Sequence, residues 1–433
     1  MPWNEARVAQ LHRRAGFGAT FAQLKRDVED GFEQSLARVI AGEKAGPGGQ
    51  PAAEFTEIVT AMEESAIRRP AIERVQLLWL YRMIFTPHPL AEAMTLAWHS
   101  HYATSQAKVR SPEMMLAQNR TLRKLWNAPA SELHKAMLND GAMLRWLDGL
   151  NSSKSTPNEN LSREFLELFA LGEGNYTEND IREIARALTG MREIRADNVR
   201  TETFDTSDHD SGEKTIFGEK GKWGRDDVVR IVCQQSSAAT RLAWRLFRTL
   251  ISDTVEPSPD LLKPLADTMR TNGDVDIARG IETILRSRLF HSDECRVSRV
   301  KSPVSFTIGA IRALETFSPP PDLTDLEIEL TNMGQRLFFP QNVAGWQGGT
   351  TWLRSATIVA RANFAANFSN GSSENSSAHI RELATRYGFE STGIWHGALG
   401  TLLCGAPPTV RHDFANHAQA VSQLLSTPEA QIG

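Results

Sequence analysis

Cysteine is scarce in this chain of 433 residues: Cys233, Cys295 and Cys404 are odd in number, widely spaced and form no CxxC pair. That excludes a disulfide framework and a thiolate zinc site, and reads the three as buried filler. Long apolar runs are missing too. The opening "MPWNEARVAQLHRRAGFGAT" carries Glu5 and several arginines where a signal peptide needs an apolar core, so the chain is expected in the cytoplasm. One uncharged stretch, 391–410, is long enough for a membrane span but is broken by Gly, Pro, Ser, Thr and His. It reads as a buried helix followed by a turn.

Charge of one sign is not concentrated anywhere, and the net charge is only −4. Neither nucleic acid nor a membrane is therefore an expected partner. Familiar catalytic signatures are also absent: no GxSxG elbow, no HExxH, no P-loop or dinucleotide fingerprint and no clustered Cys/His spacing. No internal repeat or sustained heptad series occurs.

What remains has the balance of a globular protein, 41% hydrophobic and 23% charged. Apolar residues recur at helical spacing, with Pro70, Pro87, Pro89, Pro112 and Pro129 marking breaks. The expected fold is mainly α, a multi-helix globular body with a short β-hairpin excursion around 200–220. Residues 1–41 form an N-terminal helical segment and 42–53, "GEKAGPGGQPAA", a flexible linker. Residues 54–366 form the main helical domain, with a hairpin insertion at 191–224 placed around an Asp-Ser-Gly turn. Residues 367–433 add C-terminal helices on the same body, entered through a surface loop at 369–377.

Six phrases punctuate this pattern: "HRRAGFGAT" (12–20), "WHSHYATS" (98–105), "PNENLSREFLELFALGEGNYTENDIREIARALTG" (157–190), "HDSGEKTIFG" (209–218), "KSPV" (301–304) and "NVAGWQGG" (342–349). In this order they resemble the bacterial family catalogued as domain of unknown function 1800, over nearly the whole chain. The resemblance implies a mostly helical bacterial protein, often encoded beside a second family with an alkaline-phosphatase-like look, which makes that neighbour an expected partner. Many relatives are exported, and the missing leader departs from that pattern.

The candidate chemistry lies in these phrases. On a helical wheel Leu161, Phe165, Leu168 and Phe169 form a buried arc, with Asn160, Glu164 and Glu167 stacked beside it and Glu164 nearest the apolar edge. A half-buried carboxylate must be paired, protonated or metal-bound. Pairing would come from Arg163, four residues from both Glu159 and Glu167, or from Arg182 and Arg186. His99 and His101 diverge on a helix and converge only if the helix ends by His99, so His101 is the better placed to look inward.

Two readings follow. In the first, Glu164, Glu167, His101 and Lys214 act as acid/base groups. His99, His101, Glu164, Glu167, His209 and Asp210 would then hold a divalent iron, manganese or zinc ion in an oxidoreductase or hydrolase. In the second, the same set is a structural ion-pair network in a non-catalytic binding or accessory protein. Substrate contacts are expected from Asn158, Asn160 and Arg163, from Trp346 and Trp352 as stacking surfaces, and from Arg13 and Arg14 as an anion site beside Gly16 and Gly18. A helix C-terminal stop explains the two arginines equally well.

Overall fold

The structure is a computed structural model that describes residues 2–196, 199–370, 374–408 and 414–433. Among them are twenty-four α-helices and three two-stranded antiparallel sheets, so the fold is mainly α with short hairpins. No helix among the described residues is long and apolar enough to cross a membrane.

Local sequence explains individual helices. Thr177 caps the Glu178–Ala187 helix, Asp180 completes the reciprocal capping box, and Ile181, Ile184, Ala185 and Leu188 form its buried stripe, as the pattern predicts. The Ile72–Phe85 helix is apolar nearly all round, and ten of its fourteen residues are buried. Such a helix can only lie inside.

Two apolar cores result. The middle of the chain, from Leu122 to Cys295, packs around one, while Phe55–Leu116 and Val300–Ala430 build most of the other. The Glu5–Arg14 helix runs between them, giving Val8 and Ala9 to one core and Leu11 to the other. The Pro89–His101 helix does the same, with Leu96 on one side and Leu90, Met94 and Trp98 on the other. The ends of the chain therefore close on each other, and residues 300–433 complete a core begun before residue 120.

Two expectations change. The 42–53 stretch is folded: Gly46 N–H donates to the Gln50 carbonyl (2.7 Å), Ala45 bridges Pro51, and Glu43 N–H donates to Pro87 (2.7 Å). A Cβ on Gly46 would stand 2.4 Å from the Phe85 carbonyl oxygen, so glycine serves close packing here as well as freedom. The excursion holds two hairpins. Met191–Ala196 pairs with Val199–Phe204 in the register Met191 to Phe204, and Lys214–Ile216 pairs separately with Glu219–Gly221. The Asp-Ser-Gly segment connects them, because "TETF" finds its partner upstream. The expected loop at 369–377 falls partly on 371–373, outside the described residues, and its flanks are the Ser355–Asn370 and Glu374–Arg386 helices.

Candidate functional site

The carboxylate stripe sits where an α-helix changes gauge. Asn158 caps Glu159–Glu164 by accepting from Asn160 N–H (2.8 Å), and the Asn160 side chain donates to the Leu147 carbonyl (3.3 Å). Over Phe165–Ala170 the chain widens into a π-helix, where Leu171 N–H reaches back to the Leu166 carbonyl (2.9 Å). The last carbonyls are then taken by side chains. Arg241 donates to Leu168 through Nε (3.0 Å) and Nη2 (2.6 Å), and His101 Nε2 donates to Phe169 (3.0 Å).

His101 is therefore a backbone cap. The helix carrying it continues through residue 101, so His99 points to the other core, fully buried against Trp79, Phe338 and Trp346, with no polar partner among the described residues. Burial lowers its pKa to about 3, which keeps the ring neutral.

The surface pairs are ordinary. Arg163 bonds Glu178 (2.8 and 2.9 Å) and reaches Glu159 (3.4 Å), while Glu167 accepts from the Tyr176 hydroxyl (2.8 Å). Glu164 has no hydrogen bond or ion pair among the described residues, and partial burial and the neighbouring Glu167 raise its pKa. His209 donates to the Thr189 carbonyl (3.1 Å), Asp210 is clasped by Arg186 (2.7 and 3.3 Å), and buried Lys214 donates to the carbonyls of Asp210 (2.5 Å) and Gly212 (3.0 Å).

No group of three or more His, Cys, Asp and Glu among the described residues is placed to hold a metal ion. The expected shared-metal set does not come together: His101, Glu167, His209 and Asp210 are each turned to a different backbone or side-chain partner, and His99 points into the other core. The expected stacking platform is also absent: Trp346 and Trp352 are 8% and 6% exposed, inside the core.

Arg13 and Arg14 lead elsewhere. The helix bearing them stops at Ala15, where the chain turns through Gly18 (φ 114°), and both guanidinium groups point inward. With Arg299 and Lys301 they line a cavity of about 20 Å³, room for roughly one water molecule, walled otherwise by residues such as Phe17, Phe306 and Leu402.

The four cations are held by carbonyls. Arg13 donates to Leu402 (3.2 Å), Arg14 to Ile251 (2.9 Å) and Cys295, Arg299 to Thr249 (2.6 Å), and Lys301 to Leu403 and Ala430 (2.8 Å each). Burial lowers Arg13 to about 10, Arg14 to about 9 and Lys301 to about 7. Arg13 Nε and Nη2 and Arg14 Nε are buried with no acceptor among the described residues. The nearby carboxylate of Asp253 is engaged by the amides of Val300 (3.1 Å) and Gly349 (2.7 Å). Four basic residues thus line one cavity, and two of them keep unused buried donors.

A family model described as "Protein of unknown function (DUF1800)" matches residues 10–432. The chain belongs to the DUF1800 family. Comparisons with curated proteins and with solved structures returned no match.

The six phrases by which the DUF1800 resemblance is legible meet one another in space. The first supplies Arg13 and Arg14 to the cavity and "KSPV" supplies Lys301. "WHSHYATS" meets the long phrase through His101 and Phe169, and meets "NVAGWQGG" through Ser100 Oγ, which accepts from Trp346 N–H (3.3 Å). "HDSGEKTIFG" meets the long phrase through Asp210 with Arg186 and through Phe217 N–H, which donates to Asp180 (2.8 Å). Sequence reasoning missed Lys301, Arg299 and a buried pair in which Tyr102 Oη lies 2.9 Å from His134 Nδ1. Only the "KSPV" phrase carried a readable signal for any of them.

Proposed function

We propose that this chain is a binding protein for a small inorganic anion, held in the cavity of Arg13, Arg14, Arg299 and Lys301. One observation carries the reading: two arginines that line a cationic cavity keep three buried guanidinium nitrogens with no acceptor among the described residues. An anion would supply the missing acceptors and offset the burial of like charges. Its small volume favours a chloride-sized occupant, or one oxygen of a larger oxyanion admitted by a shift of side chains. In this reading the His/carboxylate set is structural, and the protein is an accessory or carrier.

The test is thermal denaturation of protein exchanged into Tris–gluconate and titrated with chloride, sulfate or phosphate. A ligand that binds only the native state raises the midpoint in a saturable way. Lys301→Gln should blunt that rise; the absence of a saturable rise with all three ions would sink the reading.

A second reading, acid/base chemistry at Glu164, is favoured by its half-buried carboxylate with no partner among the described residues and a raised pKa. Screening Glu164→Gln beside the unaltered protein for loss of hydrolytic activity separates it from the first. We propose as well that the chain partners an alkaline-phosphatase-like protein, which co-purification after co-expression tests.

A further inference from the structure

The segment that lines the cationic cavity with Gly18 and Ala19 continues into a second hollow, which it lines with Thr20 and Ala22. This cleft holds about 610 Å³, within the range of small-molecule sites. Its walls are the first turn of the Phe21–Asp30 helix, the folded 43–49 turn, residues 315–318 and the Glu374–Arg386 helix.

The cleft differs from the cavity in its charges. Arg26 forms a fork with Glu43 (2.7 and 3.3 Å), and Gln23 donates to the same carboxylate (3.0 Å). Arg386 bridges Glu315 (3.4 Å) and Glu382 (3.1 Å), and Tyr387 donates to Glu315 (2.8 Å). Both arginines are thus matched by carboxylates, so existing pairs compete with an ionic ligand of either sign. These planar groups still have spare lone pairs and N–H bonds, because a carboxylate accepts about four hydrogen bonds and a guanidinium donates five. His379 donates Nε2 to the Leu314 carbonyl (2.8 Å), which fixes the ring at the wall of the cleft.

One apolar surface accompanies them. Phe317 is half-buried, and a Cβ on Gly48 would come within 3.0 Å of it, so the glycine turn lies directly against the ring. Hydroxyl groups donate and accept at once, and the C–H face of a sugar ring lies well on an aromatic ring.

We propose that this cleft is a second ligand site, for an uncharged, hydroxyl-rich molecule: a sugar or polyol held by Arg26, Glu43, Glu315, His379 and Arg386 against Phe317. It is independent of the anion site.

The experiment is saturation-transfer NMR on the full chain with glycerol, glucose, N-acetylglucosamine and trehalose, beside glucosamine and glucuronate as charged analogues. At least one neutral ligand should bind saturably, and the charged analogues should bind at least about tenfold more weakly. Phe317→Ala should weaken binding by a similar factor. Gly48→Ala, which removes no polar group, should also weaken it by crowding the ring, and serves should Phe317→Ala fail to fold. Lys301→Gln should leave sugar binding intact. Failure of every neutral ligand to bind, or tighter binding of a charged analogue, overturns the proposal, whatever the anion titration shows.

Discussion

His101 Nε2 lies 3.0 Å from the carbonyl oxygen of Phe169 and closes the end of the π-helix that carries Glu167. A carbonyl only accepts, so this nitrogen carries the hydrogen. Burial and the neighbouring Arg245 and Arg241 keep the ring's pKa well below the ordinary value. His101→Ala should therefore cost stability, about 1–3 kcal/mol for the orphaned carbonyl before any cavity term. Urea denaturation measures it, and a loss below 0.5 kcal/mol would remove the capping role.

Anion binding should depend on pH through Lys301. Burial among Arg13, Arg361 and Arg14 lowers its pKa to about 7, from an unfolded value near 10.5. Between those values the unfolded chain holds a proton that the empty native state has shed, so empty-state stability gains as pH rises. A bound anion favours the charged ammonium, so affinity should fall as pH rises from about 6 to about 9. Titrations at several pH values should show this slope in the unaltered protein and a shallower one in Lys301→Gln.

Asp140 gives the opposite sign. It accepts from Met143 N–H (2.8 Å) and Gln118 (2.7 Å), and burial beside Glu202 pushes its pKa up to about 7. A raised carboxyl contributes stability at low pH that is lost as pH rises from about 4 through about 7. Melting curves across that window should lose part of their pH slope in Asp140→Asn, which keeps a capping oxygen. An unchanged slope would place Asp140 outside the titration.

Glu164→Gln should leave stability within about 0.5 kcal/mol, as expected of a partly exposed group with no pairing to lose. A drop of several kcal/mol on chemical denaturation would instead reveal a buried ion pair.

Gly345→Ala should be among the most damaging small changes. The glycine has φ 82°, and a Cβ there would stand 2.0 Å from the Ser100 carbonyl oxygen. Strain and clash together should exceed about 2 kcal/mol, read as a lower denaturation midpoint.

Periodicity and punctuation made much of the fold legible in the sequence. The Thr177–Asp180 box and the Ile181, Ile184, Leu188 stripe depend on neighbours within one or two turns, which a linear pattern contains. The 42–53 stretch has the composition of a linker because glycine and proline mark both flexible and tightly packed chain, and only the nearby Phe85 carbonyl decides between them.

The candidate sites divide in the same way. The sequence by itself determined that Glu164 sits at an apolar edge and that His99 and His101 diverge wherever their helix continues, and it offered a helix stop as one reading of Arg13 and Arg14, since each follows from helical geometry over a few residues. Tertiary structure alone decided what these groups face. It brought Lys301 to Arg13 across nearly three hundred residues, and turned His101 to a carbonyl while leaving Glu164 without a partner among the described residues. The physical reason is that burial, charge balance and hydrogen-bond satisfaction belong to neighbours in space, and those are set only when the two ends of the chain close around the first helix.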